Sequence, residues 1–251
     1  MIIGLDDTDM LGTPGTNQLA RRIADALPEG LAFDVVLRHQ LLFDERIPYT
    51  SKNGSASIGV RGQATCSPAE LLDFLRKRVR AFAPEGSDPG LCVVGAVPPR
   101  PDVPEDVIAF GRQCQRQPVR REDAMALARA HGIFLEPLGG TGDGVIGALA
   151  AVGLRAWGDD GRVVHRPGWP WPDDLSGEQP VAAVLAAAVD EIRSPAGTVR
   201  DGVVDVGKHL RPNFRGGRVV LFVEPVSAGD GGAASASPGD AGARWRALKL
   251  P

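Results

Sequence analysis

Cysteine is scarce in this chain of 251 residues: it has three, Cys66, Cys92 and Cys114, far apart and with no CxxC pair. That spacing excludes a disulfide framework and a structural zinc site, and it suits a thiol-reducing cytoplasm. Long apolar runs are missing as well. Asp6 interrupts the N-terminal run begun by Ile2, Ile3 and Leu5, so no signal peptide is expected. The alanine-rich run 181–189 falls short of the ~20 residues that a membrane span needs, so no membrane partner is expected. The GK[ST] ending of a P-loop is absent. So is any large excess of one charge: 28 Lys and Arg stand against 31 Asp and Glu, a net charge of -3. That balance excludes a protein that coats nucleic acid without specificity, while leaving room for a local basic patch. No internal repeat is visible. What remains is an ordinary globular composition, 43% apolar, long enough for one large domain or two smaller ones.

The stretch with the most chemistry is the first, MIIGLDDTDMLGTPGTNQLA. A short apolar run ends in Asp6, Asp7, Thr8 and Asp9, followed by a turn rich in Gly, Pro and Thr and then by a helix. This pattern predicts a buried strand that delivers three carboxylates to its C-terminal edge, where ligands of open α/β sheets bind. Crowded carboxylates repel one another unless a cation joins them, and hard oxygens suit magnesium shared with substrate phosphates. The plainer assignment is turn and cap duty, a common role for Asp. Leu19, Ile23 and Leu27 recur at helical spacing, so Thr16 stands at a helix start facing the cluster. It is either a cap or part of a phosphate site.

Further along, 33–42 reads as a strand carrying Arg38 and His39. The polar segment 49–56, YTSKNGSA, then offers Thr50, Ser51 and Asn53 as donors and Lys52 as a mobile cation. It also reads as a hairpin turn on Asn53-Gly54. Residues 68–82 predict an amphipathic helix with a basic outer face, 91–97 a strand, 98–104 a proline-rich connector, 105–115 and 122–131 two helices, and 134–137 a short strand. Next comes GGTGDGVIGALAAVG at 139–153, a glycine cluster opening an apolar helix. Gly140, Gly142, Gly144 and Gly147 could let backbone N–H groups approach an anion, or could serve close helix–sheet packing. Gly142, Gly144 and Gly147 also satisfy GxGxxG, a dinucleotide pattern that wants an acidic residue about twenty positions on; Asp159 and Asp160 are the candidates. A helix is expected over 181–192 and strands over 202–206 and 218–224. Between those strands Lys208, His209, Arg211, Arg215 and Arg218 surround Phe214, a cluster that could grip phosphates or a nucleic-acid strand, or form a solvated hairpin. Residues 227–243 read as a flexible tail, with Trp245 docking back.

Three motifs together resemble the archaeal agmatinylcytidine synthetase family, which attaches agmatine to a cytidine of isoleucine tRNA. GLDDTD at 4–9, with Thr16 following, is similar to that family's GIDDTD and later threonine. IPYTSKNGSA at 47–56 resembles IPYKTRGNGA, and GDGVIGALAAVG at 142–153 resembles the family's GVIGALAAIG segment. Gly15 precedes Thr16 where the family has Cys, and TSKNG replaces KTRGN. The resemblance implies a kinase-like, ATP-using domain, accompanied in the family by ferredoxin-like, OB-fold and zinc-ribbon parts. The chain left after Gly153 is too short for all of these modules. By motif, Asp6, Asp7 and Asp9 would hold magnesium and ATP phosphates and Thr16 would be a phosphorylated threonine. Lys52, Asn53 and the glycines of 140–147 would contact nucleotide or substrate.

The expectation is therefore an α/β (α+β) protein with a mixed-sheet, kinase-like catalytic domain at 1–157 and a ferredoxin-like or similar α+β portion. A smaller β-containing region would follow at 158–226 and a tail at 227–251. Its expected activity is ATP- and magnesium-dependent, a ligase or kinase-like phosphotransferase in the cytoplasm, acting on tRNA or a small-molecule acceptor. The alternatives are a non-catalytic RNA-binding accessory protein and a nicotinamide-dependent oxidoreductase.

Overall fold

The computed structural model describes residues 1–47, 52–95, 103–169, 175–226 and 242–250. The chain divides into two compact units, Met1–His165 and Arg166–Pro251.

The first unit runs β1 (Ile2–Asp6), α1 (Thr16–Asp25), β2 (Leu31–Gln40), β3 (Gly54–Gly62), α2 (Pro68–Phe82) and β4 (Gly90–Val94). It continues with α3 (Glu105–Cys114), α4 (Arg121–Ala130), β5 (Phe134–Pro137), α5 (Gly144–Trp157) and β6 (Arg162–His165). Its strands lie in the order β5-β4-β1-β3-β2-β6, and each neighbouring pair is antiparallel. The first six elements, βαββαβ with β1 and β3 central, form the ferredoxin-like arrangement. β6 pairs with β2, which carries this unit past residue 157 to His165.

Helices cover both faces, which is why β1 is apolar on both sides. Ile3 and Leu5 join Leu19 and Ile23 of α1 and Leu71, Leu75 and Val79 of α2 in one core. Ile2 joins Val107 and Phe110 of α3 and Val145, Leu149 and Val152 of α5 in the other. α2 starts on a full capping box: Ser67 accepts from the Glu70 N–H and the Glu70 carboxylate accepts from the Ser67 N–H. α5 is buried from Gly144 to Leu154 with the exception of Ile146, as expected of a helix apolar nearly all round. It lies directly on the strands. A Cβ on Gly4 would fall on the Ala148 carbonyl, and one on Gly90 on the Gly144 carbonyl.

The second unit contains β7 (Glu178–Pro180), α6 (Val181–Ala186), β8 (Glu191–Ser194), β9 (Gly197–Val199), β10 (Val203–Asp205), β11 (Asn213–Arg215), β12 (Arg218–Pro225) and β13 (Arg244–Ala247). β12 is its hub, antiparallel to β11 and β13 and parallel to β8. β13 is parallel to β10, so the strand pairing of the chain is mixed and the fold is α+β. The helix expected over 181–192 is cut short. It ends at Ala186, Ala188 takes φ 62, and Glu191–Ser194 becomes β8 because its backbone is claimed by β12 and β9. Part of the expected tail is a strand: Trp245 on β13 is fully buried. Residues 227–241 and the connector at 96–102 lie outside the described residues.

Candidate active site at the end of the first strand

β1 delivers Asp6 at its last position, and Asp7 and Asp9 follow in the turn. Asp7 has φ 49, one of two non-glycine residues with positive φ among those described. Such a conformation is strained and often sits where function over-determines it. The strain turns the chain so that the Asp7 carbonyl accepts from the Asp88 N–H at 3.2 Å. Asp88 lies in the loop before β4.

The carboxylates crowd one another. Burial first, then repulsion from Asp7, Asp9 and Asp88, pushes the Asp6 carboxyl up to about 8. Burial and the neighbouring Asp88, Asp9 and Asp143 push Asp7 up to about 6. Burial lowers the Arg38 guanidinium below its usual value, and Asp6 acts against that shift. Asp6 presses against α5 at Gly147, where a Cβ would fall on its carboxyl group.

Asp9 is turned the other way. Its Oδ1 accepts from the Thr16 N–H at 3.3 Å and from the Thr16 hydroxyl at 3.0 Å. Thr16 is not the helix cap: it is the first helical residue, with Gly15 at the cap position making no side-chain bond. The Asp9 carboxylate satisfies the helix N-terminus from outside. Thr16 is buried, and its oxygen also accepts from the Thr8 hydroxyl at 3.1 Å.

The glycine cluster divides into two uses. Gly140 and Gly142 have φ 58 and 88 and make a turn that side chains rarely allow. Gly144 and Gly147 serve close packing: a Cβ on Gly144 would strike the Asp88 carbonyl. The backbone donors expected for phosphate are engaged by Asp88. Its carboxylate accepts from the Gly142 N–H at 2.7 Å, the Asp143 N–H at 3.0 Å and the Thr141 hydroxyl. The loop thus forms an anion nest with a carboxylate in it. Replacing Asp88 with Ala should speed amide exchange at Gly142 and Asp143 by tenfold or more, an effect readable by hydrogen-exchange mass spectrometry.

Around the second motif, Lys52 is exposed. Asn53 is not half of a tight turn but is engaged within the chain. Its amide donates to the Leu42 carbonyl at 2.8 Å, and its carbonyl accepts from the Leu41 N–H at 3.0 Å and from the Gln40 amide at 2.6 Å. It closes the base of a long loop between β2 and β3. Thr50 and Ser51 lie outside the described residues.

Asp160, a candidate ribose acid, is likewise engaged. It meets His39 Nδ1 at 2.7 Å and accepts from Gln115 at 3.0 Å, while His39 Nε2 meets Ser57 Oγ at 2.8 Å. The Ser57–His39–Asp160 line has the order of a nucleophilic triad, but Ser57 and His39 have no exposed surface, so it is an internal brace. Unit one has no parallel strand pair among the described residues, which removes the βαβ context that the GxGxxG pattern requires.

Among the described residues no three His, Cys, Asp or Glu side chains converge into a cage for a metal ion. The donor chemistry still fits magnesium of the kind held by one or two carboxylates and by substrate phosphates, because a divalent cation would relieve the repulsion raised at Asp6 and Asp7. Asp88, Asp143 and Thr8 are the site residues that the sequence reading missed. Asp88 stands in a Ser-Asp-Pro-Gly turn with no local mark of chemistry, and only the tertiary fold brings it to β1.

In the second unit, Arg215 and Arg218 flank the β11–β12 turn made by Gly216 and Gly217, which have φ 57 and 73. Arg218 approaches the Glu191 carboxylate at 3.5 Å. Arg211 donates to His209 Nε2 at 2.9 Å and Arg215 to the Phe214 carbonyl at 2.8 Å. Lys208 is exposed. Phe214 is buried and so offers no stacking face.

No protein-family model matches the chain, and no curated protein matches it. Solved structures do. A tRNA fluorescent labeling enzyme is 24% identical with a TM-score of 0.51, over 61% of this chain and 35% of that one. TiaS in complex with tRNA(Ile2) and ATP is 23% identical with a TM-score of 0.50, over 61% and 35%. Apo TiaS, a tRNA(Ile2) agmatidine synthetase, is 23% identical with a TM-score of 0.50, over 61% and 34%. The chain therefore matches about a third of the length of these proteins. In fold it is similar to part of TiaS, the synthetase that its three motifs resemble.

Proposed function

We propose that the protein is an ATP- and magnesium-dependent enzyme of the synthetase or phosphotransferase type, a relative of the agmatinylcytidine synthetases. The observation that carries this reading is the crowding of buried carboxylates around the strained Asp7, on a fold similar to that of TiaS, whose complex holds tRNA and ATP.

In this reading Asp6 and Asp7 would hold the magnesium ion, which would supply positive charge against the phosphates of the transferred group. The N–H groups of Gly142 and Asp143 exchange the Asp88 carboxylate for phosphate oxygens, an anion-for-anion substitution. The Thr16 hydroxyl is paired with its own base: its proton points to Asp9 Oδ1, the arrangement of an activated nucleophile. Attack of the Thr16 oxygen on phosphorus would form the new P–O bond as the bond from that phosphorus to its bridging oxygen breaks; the remaining nucleotide leaves with those electrons and the Thr16 proton passes to Asp9. The acceptor is an RNA-linked oxygen or a small molecule, joined in the end to an amine.

A second reading has an observation of its own. Among the described residues Lys208, Arg211 and Arg215 pair with no carboxylate, which favours an RNA contact with or without catalysis. The nicotinamide reading loses its support, since Gly144 and Gly147 are used in packing.

The test is incubation of the protein with α- and γ-labelled ATP, magnesium, agmatine and a tRNA transcript. Release of AMP that requires RNA and amine supports the synthetase reading. If ATP is untouched and Arg211→Ala with Arg215→Ala abolishes RNA binding, the accessory reading takes its place.

A further inference from the structure

Ser55 is 1% exposed, and its Oγ has no hydrogen-bond partner among the described residues. A buried hydroxyl without a partner is uncommon, because it forfeits the bonds it makes to water in the unfolded chain. Its position shows what could complete it. β1 and β3 pair with Leu5 opposite Ala56 and Gly4 opposite Ser57, so the next step of the antiparallel register sets Asp6 opposite Ser55. Residues directly opposite share a face, with Cβ atoms roughly 5 Å apart. That face is the one toward α5. Gly4 and Asp6 both press on α5, and Gly59, two steps beyond Ser57, faces Arg155 of the same helix.

The rest of the row supplies no partner. On the other side Ser55 stands opposite His39, whose two ring nitrogens are taken by Asp160 and Ser57. Beyond Asp6 the row continues to Gly90, which has no side chain. The Asp6 carboxyl and the Ser55 hydroxyl therefore share one face at the strand end, the second without a partner among the described residues.

We propose that Ser55 Oγ is a further oxygen ligand of the divalent cation held at Asp6. The inference rests on the proposed function and adds a residue to its metal site. A hydroxyl beside a carboxylate is a hard, oxygen-only donor pair, the kind that magnesium and manganese take.

The test is manganese binding in the presence of a non-hydrolysable ATP analogue, read from the paramagnetic resonance of free Mn2+, on the whole chain and on its Ser55→Ala and Asp6→Asn variants. Thermal melting of the metal-free proteins is measured in parallel. The expected result is saturable binding by the unmodified chain and loss of it in Asp6→Asn. Ser55→Ala should show an affinity about tenfold weaker, with a melting temperature equal to or above that of the unmodified chain. The melting measurement separates the roles, because deleting an unpaired hydroxyl does not weaken a fold, whereas deleting a structural one does. Unchanged manganese affinity in Ser55→Ala overturns the inference and leaves the proposed function standing. A lower melting temperature for Ser55→Ala also counts against it. Absence of binding by the unmodified chain, or equal binding in Asp6→Asn, removes the metal site and the inference with it.

Discussion

Replacing Asp7 with Asn is expected to abolish ATP turnover and, at pH 8, to raise the melting temperature. The substitution keeps the backbone, since Asn tolerates the left-handed conformation that Asp7 holds at φ 49. It removes one charge from a group of buried like charges. Asp6 and Asp7 titrate at about 8 and about 6 in the folded chain against 3.8 for an ordinary Asp. The folded state therefore binds these protons more tightly than the unfolded state. Between about pH 4 and 8 it holds more protons, so stability falls as pH rises through that window and the full loss persists above it. Asn removes the Asp7 share of that loss and its repulsion on Asp6. Each kcal/mol recovered is worth roughly 2–4 °C for a chain of this size. Turnover should fall by more than the ~10²–10³ that removal of a single electrostatic donor costs. Magnesium with ATP should raise the melting temperature of the unmodified protein but not that of the variant, because only the former gains a ligand. A scanning-calorimetry series at pH 5, 6.5 and 8 checks the sign. The gap between variant and parent should widen with pH.

Gly144→Ala is expected to have the largest effect on the fold. The new Cβ would fall on the Asp88 carbonyl and close to the Gly90 nitrogen, both backbone atoms. Neither can rotate away, so α5 must lift from β4. Overpacking of this kind costs about 1–3 kcal/mol and occasionally more, and a fall in melting temperature on the order of 5–10 °C is the expected outcome. Gly147→Ala offers the informative contrast. There the Cβ meets the Asp6 carboxyl, a side chain that can swing aside. Stability should change little, while nucleotide binding in magnesium is lost because the carboxylate has been displaced. Thermal melts and calorimetric titrations of the two variants separate the packing role of one glycine from the site-shaping role of the other.

These two glycines also illustrate how far the sequence could be read. The pattern Gly142, Gly144, Gly147 is legible as a place where something approaches the backbone closely, but not as what approaches. In the fold the approaching groups are the loop before β4 and the Asp6 side chain. Asp6, Asp7 and Asp9 were recognisable as a cluster because they are adjacent in the chain. Their division of labour was not, since Asp9 is drawn off by the start of α1. Asp88 and Ser55 could not be found from local pattern, for both reach β1 through strand pairing or loop packing. The helix expected over 181–192 ends early because sheet pairing claims Glu191–Ser194, a partner that local sequence does not show. The ferredoxin-like portion was anticipated through the family resemblance, and its order of strands follows the βαββαβ sequence of elements.

The most direct measurement is a calorimetric titration of ATP with magnesium into the unmodified protein and into Asp7→Asn, with the nucleotide recovered afterwards for product analysis. Saturable, magnesium-dependent binding by the first and none by the second is the expected result. Binding of equal strength to both, or to neither, would contradict a carboxylate site for magnesium and ATP at the end of β1.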